Sequence, residues 1–365
     1  MSDSDESNEI SGTPPEILNA ARKASLDLLP EKSRKQYEIV YKRFKEWCER
    51  NKVNHISENI MLAYFSEKEK VLKPSSLWSE YSMIKTTLAV KEDIDIKKYL
   101  KLISFLKRKS VGYRAKKSKT FTRAEILKFL EEAPDDKYLF MKVVAIIAIA
   151  GACRRDELVK MSIDDIENSG SVLVIRVPYT KNNRKRCFVV SNGNSEKINL
   201  VDICQKYINL RSATPPHKRF FINYRYGKCT NQVVGINTFG KIPSEIAKYL
   251  HLENPSLYTG HCFRRSSATL LADTGADILS LKRHGGWRSS TVAEGYVEDS
   301  IQNKTSIAQQ ILGHKTTTNS SALQEVNKTY QQCINLEETT SSSVPMTINV
   351  QNCSNCQVNI NFRKN

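Results

Sequence analysis

The run VVAIIAIAGAC, Val143–Cys153, is the longest apolar stretch in the chain, and the charged sequence RRDELV follows it directly. Coiled as a helix it rises about 16 Å, well short of the roughly 20 residues that a bilayer span requires. Such a segment has to be sheathed on all sides by other parts of the same chain, so it marks the centre of a folded core. It also delivers two arginines, Arg154 and Arg155, to the rim of that core.

What meets those arginines is constrained by charge. The 365 residues carry a formal net charge of +17, and no acidic tract of comparable size offsets it. Each Lys or Arg that neutralises a phosphate releases condensed counterions, so this excess points to a polyanionic partner. Charge alone does not separate DNA from RNA or from an anionic membrane, but the absence of a spanning segment disfavours membrane attachment. The acidic, serine-rich start MSDSDESNEISGTPP has no apolar segment behind a basic one, so it is not a secretory signal. Residues 1–29 read as a disordered leader. Nine scattered cysteines fit a reducing compartment, nuclear in a eukaryote and cytoplasmic otherwise, better than a disulfide framework in a secreted protein.

Four helical stretches make up the first part of the chain. Ser33 and Gln36 have capping-box spacing ahead of Tyr37, Val40, Tyr41, Phe44, Trp47 and Cys48, a stripe with one apolar face. Similar patterns over residues 58–67, 75–90 and 96–108 complete an all-helical domain spanning residues 30–110. Residues 100–120 carry eight Lys or Arg and no acid, and periodicity fades after Leu106. The stretch 111–120 therefore reads as a basic linker, and Lys107, Arg108, Lys116, Lys117 and Lys119 as candidate DNA contacts.

A second capping box, Thr122 with Glu125, opens a domain spanning residues 121–310. The β-branched runs 171–179 and 186–190 flank TKNNRK, a hairpin whose cationic tip offers Lys181, Arg184, Lys185 and Arg186 to DNA. Helices are predicted over residues 200–210, 243–249, 264–273, 276–284 and 290–310. Residues 311–365 are rich in Thr, Ser, Asn and Gln and form a polar tail. TINVQNCSNCQVNINF within it alternates as a terminal hairpin would, and Cys353 and Cys356 have zinc-ligand spacing without a second pair to complete a site. No metal and no cofactor is expected.

Four short motifs carry the chemistry: Arg154 in ACRRDELV, Lys181 in YTKNNRKR, His261 and Arg264 in GHCFRRSSAT, and Trp287 with Tyr296 in GGWRSSTVAEGYVED. Each is common by chance; their order, with a helical domain and basic linker ahead of them, is not. The chain resembles the tyrosine recombinase (phage integrase) family over roughly residues 30–300. Arg-x-x-Glu-Leu is Arg154, Glu157 and Leu158, His-x-x-Arg is His261 and Arg264, and Gly-Gly-Trp is followed nine residues later by Tyr296. Trp287 stands where many relatives carry a second histidine. The segments PSSLWSEYSMIKTTL and KKSKTFT are similar to the recombinases of eukaryotic Crypton-type mobile elements.

The resemblance implies an all-α core-binding (SAM-like) domain followed by a mainly helical α+β catalytic domain with a small β-sheet. It implies double-stranded DNA as substrate, a homotetramer working on two DNA sites, and strand cleavage through a 3′-phosphotyrosyl intermediate. Arg154 and Arg264 would grip the non-bridging phosphate oxygens, and Tyr296 would attack. Lys181 would protonate the leaving 5′-hydroxyl, and His261 would accept the tyrosine proton. The Trp287 indole N–H would donate to a phosphate oxygen, and Glu157 would orient neighbouring donors. Two rival readings remain at this point: a type IB topoisomerase using similar residues, and a domesticated DNA-binding regulator that has lost catalysis.

Overall fold

The computed structural model describes residues 14–178, 185–192, 198–212 and 216–312, and the chain divides into two units after Lys117. The Lys181–Arg184 part of the hairpin tip, the polar tail and its CSNC turn lie outside the described residues. Among the described residues no helix is long and apolar enough to cross a membrane.

The described residues of the first unit form five helices. Pro15–Leu26, expected within a disordered leader, forms helix α1. Pro15 takes the first turn, where a missing N–H is no loss, and Glu16 and Lys23 lie at the ends that the helix dipole favours. Helix α2 (Arg34–Arg50) starts after Ser33, but the Ser33 hydroxyl makes no cap bond, so the expected box with Gln36 does not form; a 3₁₀ turn, Glu31–Ser33, leads in instead. Helices α3 (Glu58–Glu69) and α4 (Pro74–Lys91) follow. The single helix expected over 96–108 is divided: a 3₁₀ turn Ile96–Lys98 precedes α5 (Leu100–Lys109), with Tyr99 between them donating its hydroxyl to the Ile56 carbonyl at 3.0 Å.

Tyr64 of α3 is the hub of this unit. Its fully buried ring meets Phe44, Trp47 and Phe65 edge-on at centroid distances of 5.0, 5.2 and 5.3 Å. Its hydroxyl donates to the buried Glu80 carboxylate of α4 at 2.5 Å, and Lys68 lies 3.9 Å from the same oxygen. Burial first, and then that hydrogen bond, push the Tyr64 hydroxyl far above its ordinary pKa, so it remains a donor at all working pH values.

The second unit is built around α7 (Asp135–Ala150), the apolar run anticipated above, which follows α6 (Arg123–Glu132) with its Thr122–Glu125 capping box formed in both directions. Asp135 and Asp136 sit in the first turn of α7, and Leu139, Phe140 and Val143–Ala148 are buried. After the short α8 (Arg155–Lys160) come strands β1 (Ile166–Asn168), β2 (Val172–Val177) and β3 (Arg186–Ser191), antiparallel in that order. Ile175 opposes Phe188, Val177 opposes Arg186, and Leu173, Ile175 and Val177 alternate into the core. Helix α9 (Leu200–Asn209) packs on α7.

A second hairpin, β4 (Ile222–Arg225) and β5 (Lys228–Val233), turns at Tyr226 and Gly227, both with positive φ (51° and 75°). Mostly polar, exposed positions on β5 hide it from a hydrophobicity pattern. Helix α10 (Ile236–Tyr249) begins well before Pro243, which lies inside it on the buried face; there the proline forfeits the N–H bond to the Phe239 carbonyl and crowds that carbonyl, a cost borne by the helix whose Phe239, Ile242, Ile246 and Ala247 pack into the core. Helices α11 (Cys262–Asp273), α12 (Ile278–Gly285), α13 (Ser290–Asp299) and α14 (Ile301–Leu312) complete the unit. The break between α13 and α14, expected as one helix, is made by buried Ser300: its hydroxyl donates to Asp273 at 2.6 Å and accepts the Asn303 N–H at 3.1 Å.

Tyr64→Phe strips the buried Glu80 carboxylate of its closest donor and is expected to destabilise the first unit by about 1–3 kcal/mol. Adding Glu80→Met should recover part of that loss, because removing both polar partners spares the desolvation cost. Denaturant unfolding followed by tryptophan fluorescence checks this, since Trp47 and Trp78 report on the first unit and Trp287 on the second.

Candidate active site

The turn between α7 and α8 is tight, and each residue in it has a steric reason. Gly151 caps α7, and a Cβ there would lie 2.3 Å from the Phe188 ring of β3. Ala152 has φ +43°, a conformation costly for a residue with a side chain, and its carbonyl accepts Arg264 Nη1 at 2.5 Å. Arg154 then stands at the N-cap of α8. Its backbone N–H donates to Glu157 Oε2 at 2.9 Å and its Nη1 to Glu157 Oε1 at 2.7 Å.

Glu157 is buried, with 1% of its side chain exposed. Burial would raise its pKa, but the Arg186 charge and the hydrogen bonds from Arg154 and Arg186 outweigh it and hold the carboxyl below its ordinary value. Arg186, at the start of β3, donates Nη2 to Glu157 Oε2 at 2.6 Å and Nη1 to the carbonyls of Gly151 and, at 3.2 Å, His284. This corrects the expectation that Arg186 faces DNA from the hairpin tip: its guanidinium is turned inward and engaged by the protein. Lys185 beside it is exposed.

Arg264, on the first turn of α11, is buried and reaches across the unit, with Nη2 donating to the Gly285 carbonyl at 2.6 Å. Its pKa is lowered to about 10, by burial first and then by the Arg154 charge, so it stays a cation at neutral pH. The Gly-Gly-Trp motif has a steric basis. Gly286 ends α12 in the left-handed conformation (φ 63°), which lets Trp287 fold back so closely that a Cβ on Gly285 would meet its ring at 2.3 Å. The indole contacts Arg264, with Cζ 4.7 Å from the ring, and stacks on Tyr296 of α13 at 5.1 Å and 29°. Guanidinium, indole and phenol thus form one contiguous group.

His261 is exposed at the N-cap of α11. Partial burial and then the charges of Arg155, Arg264, Arg154 and Arg265 lower its pKa, so its imidazole is neutral at pH 7 and able to accept a proton. The motif spacing favours Arg154 over Arg155, and the geometry separates their tasks. Arg154 pairs with Glu157, whereas the Arg155 stem lies along Gly260, where a Cβ would come within 2.5 Å of Cδ, and its Nη1 reaches Gly240, where a Cβ would come within 2.9 Å.

The structure therefore gathers Arg154, Glu157, His261, Arg264, Trp287 and Tyr296 in the second unit, with Arg155 and Arg186 among them. Lys181 and Arg184 lie outside the described residues. Lys107 and Arg108, in the last turn of α5, and Lys116 are exposed, as is Lys117, all in the first unit; half-buried Lys119 belongs to the second, its backbone N–H donating to the Leu257 carbonyl at 3.0 Å. No motif assigns a role to His284, yet it links β3 and α11, its carbonyl accepting Arg186 and its ring meeting Ser267. The Ser267 hydroxyl donates to the Ile149 carbonyl at 2.5 Å, so the 2.7 Å contact with His284 uses the Nε2–H as donor. Burial, followed by the Arg186 and Arg264 charges, drops its pKa to about 4. Only its position three residues before Trp287 hinted at this. Among the described residues no group of His, Cys, Asp or Glu is arranged to hold a metal ion.

Comparison with known proteins agrees with this architecture. No curated protein sequence matches the chain. Among solved structures, the XerH site-specific recombinase bound to palindromic difH substrate in a post-cleavage complex is similar, with a TM-score of 0.59 at 15% identity over 76% of this chain and 79% of that one. A lambda integrase dimer bound to a COC′ core site gives 0.54 at 16% identity, covering 77% and 95%. The Tn1549 transposon integrase in complex with a circular intermediate DNA gives 0.53 at 15%, covering 85% and 98%. Such low identities speak to the fold: a helix-rich chain with a small antiparallel sheet. The family model described as phage integrase matches residues 119–303, a span that contains the whole cluster from Arg154 to Tyr296, and this chain belongs to that family of tyrosine recombinases.

Proposed function

We propose that the protein cuts and rejoins double-stranded DNA in site-specific recombination, with Tyr296 as nucleophile and a 3′-phosphotyrosyl intermediate. The observation that carries this is one connected group: Trp287 lies between Arg264 and the Tyr296 ring, and the Arg154 and His261 side chains are within electrostatic reach of Arg264. In-line attack on a phosphodiester builds charge on two non-bridging oxygens, which two fixed guanidiniums stabilise without reorganising. Neutral His261 takes the phenol proton, while Lys181 gives a proton to the departing 5′-hydroxyl. The energy of the broken strand is retained in the tyrosyl ester, so rejoining needs no nucleotide cofactor. A homotetramer on two DNA sites fits that chemistry, since exchange requires four cut strands. The segments PSSLWSEYSMIKTTL and KKSKTFT support assigning the protein to the recombinases of Crypton-type mobile elements, acting in a nucleus.

The test is incubation of the full chain with a library of nicked duplexes, followed by denaturing electrophoresis. A covalent protein–DNA band is expected; binding without any band would indicate a non-catalytic regulator. Strand exchange between two duplexes, rather than relaxation of supercoils alone, separates a recombinase from a topoisomerase.

Tyr296→Phe should abolish the covalent band and leave duplex affinity nearly unchanged, because only a hydroxyl is removed and basic contacts to phosphate dominate binding. An unaltered covalent yield rules Tyr296 out as nucleophile. Lys181→Ala should slow cleavage by about 10²–10⁴-fold, the range for a positioned acid, and be largely rescued when the 5′ bridging oxygen is replaced by sulfur, since a thiolate leaves unprotonated. Lys185→Ala should show neither effect; the opposite pattern transfers the role. Neutralising Lys107, Arg108, Lys116 and Lys117 together should weaken binding and flatten its dependence on log[salt], by about 0.9 for each phosphate that is no longer neutralised. A slope equal to the parent's would mean that these residues do not touch DNA.

A further inference from the structure

The Glu157 carboxylate has two oxygens and three donors. Oε1 accepts Arg154 Nη1 at 2.7 Å; Oε2 accepts the Arg154 backbone N–H at 2.9 Å and Arg186 Nη2 at 2.6 Å. Arg154 is thus held through one guanidinium nitrogen, and 21% of its side chain is exposed. Arg186 has less freedom. It is 11% exposed and pinned by the Gly151 and His284 carbonyls, with the Cys153 sulfur 3.7 Å from Nη2. Left to itself, a carboxylate beside a guanidinium prefers two parallel N–H···O bonds, fork on fork. A buried carboxylate short of one partner is under strong pressure to adopt that arrangement.

We propose that Arg186 is a positioning residue: by occupying one oxygen of Glu157 it restricts Arg154 to a single side-chain contact and leaves the rest of the Arg154 guanidinium for the scissile phosphate. Without Arg186, Glu157 captures both arms of Arg154, and the fork that should meet phosphate is spent on the protein. The same side chain also ties the α7–α8 turn to α12, whose Gly285 carbonyl holds Arg264, so both phosphate-binding arginines are placed with reference to it. The inference rests on the reading that Arg154 grips the phosphate.

The experiment measures single-turnover formation of the covalent complex by the full chain on a nicked duplex that it cleaves, with the cost of Arg186→Met determined in the presence of Glu157 and in a Glu157→Gln background. With Glu157 in place the substitution should slow cleavage about 10²-fold, the size of effect a displaced catalytic group produces, with duplex affinity little changed. In the Glu157→Gln background, where no charge is left to over-capture Arg154, it should cost no more than about threefold, a non-additivity that independent roles do not produce. The neutral pair contains no isolated buried charge, so the double variant folds even if Arg186→Met alone does not. Its rate is then read directly against Glu157→Gln. Similar large losses in both backgrounds overturn the proposal, because a DNA-contacting Arg186 acts whatever stands at 157. A loss with Glu157 in place that is matched by an equal fall in the folded fraction on denaturant titration also overturns it, because that is what a purely structural ion pair produces. An Arg154→Ala variant that cleaves at the parent rate refutes the phosphate reading instead, which keeps the two failures apart.

Discussion

A carboxylate sealed from water between two guanidiniums is the constraint on which the rest of the second unit depends. Glu157 is ionised despite burial, and an ionised buried group must keep its partners. One partner comes from the N-cap of α8 and the other from the start of β3, so the turn after the central helix, the sheet and the pocket are fixed in one step. Arg154 and Arg186 touch this acid, Arg264 lies within reach of it, and Arg155 and Arg265 act with Arg154 and Arg264 on His261, an excess of positive charge suited to an anion.

Close backbone approach is the second element of the design. Gly151 makes room for Phe188, Gly285 for the Trp287 ring, and Gly260 for the Arg155 stem, each against a contact of 2.5 Å or less from a Cβ that is not there. The left-handed Gly286 reverses the chain so that Trp287 can bridge Arg264 and Tyr296. The small buried residues Ser266, Ser267 and Ala268 belong to α11, the helix that packs on α7. Pocket geometry is therefore set by what the glycines and serines lack as much as by what the arginines bring.

Much of this was legible in the residues alone, for identifiable reasons. The apolar run had one physical interpretation, and Thr122 with Glu125 formed the reciprocal cap that their spacing implies. Among the motif residues with fixed local spacing, Arg154 pairs with Glu157 and Trp287 stacks on Tyr296, because a helix start and a short connection leave few alternatives. What stayed hidden depends on long-range pairing. Arg186 looked like one more cation on a basic hairpin, and only its register opposite Val177 turns it inward. His284 stands directly before the Gly-Gly-Trp motif but takes no part in its spacing, and its partner Ser267 lies on another helix. The β4–β5 hairpin was missed because its strand β5 exposes polar side chains, and the length of α10 because Pro243 reads as a boundary when its ring in fact faces the core.

The central claim is that the phosphate pocket delivers the scissile phosphorus to the Tyr296 oxygen. Its most direct test is mass spectrometry of the trapped protein–DNA complex after nuclease and trypsin digestion. The account predicts a nucleotide joined through its 3′-phosphate to the peptide spanning residues 289–304, with fragmentation placing the added mass on Tyr296. An adduct on any other residue, or a tyrosine joined to a 5′-phosphate, would contradict it.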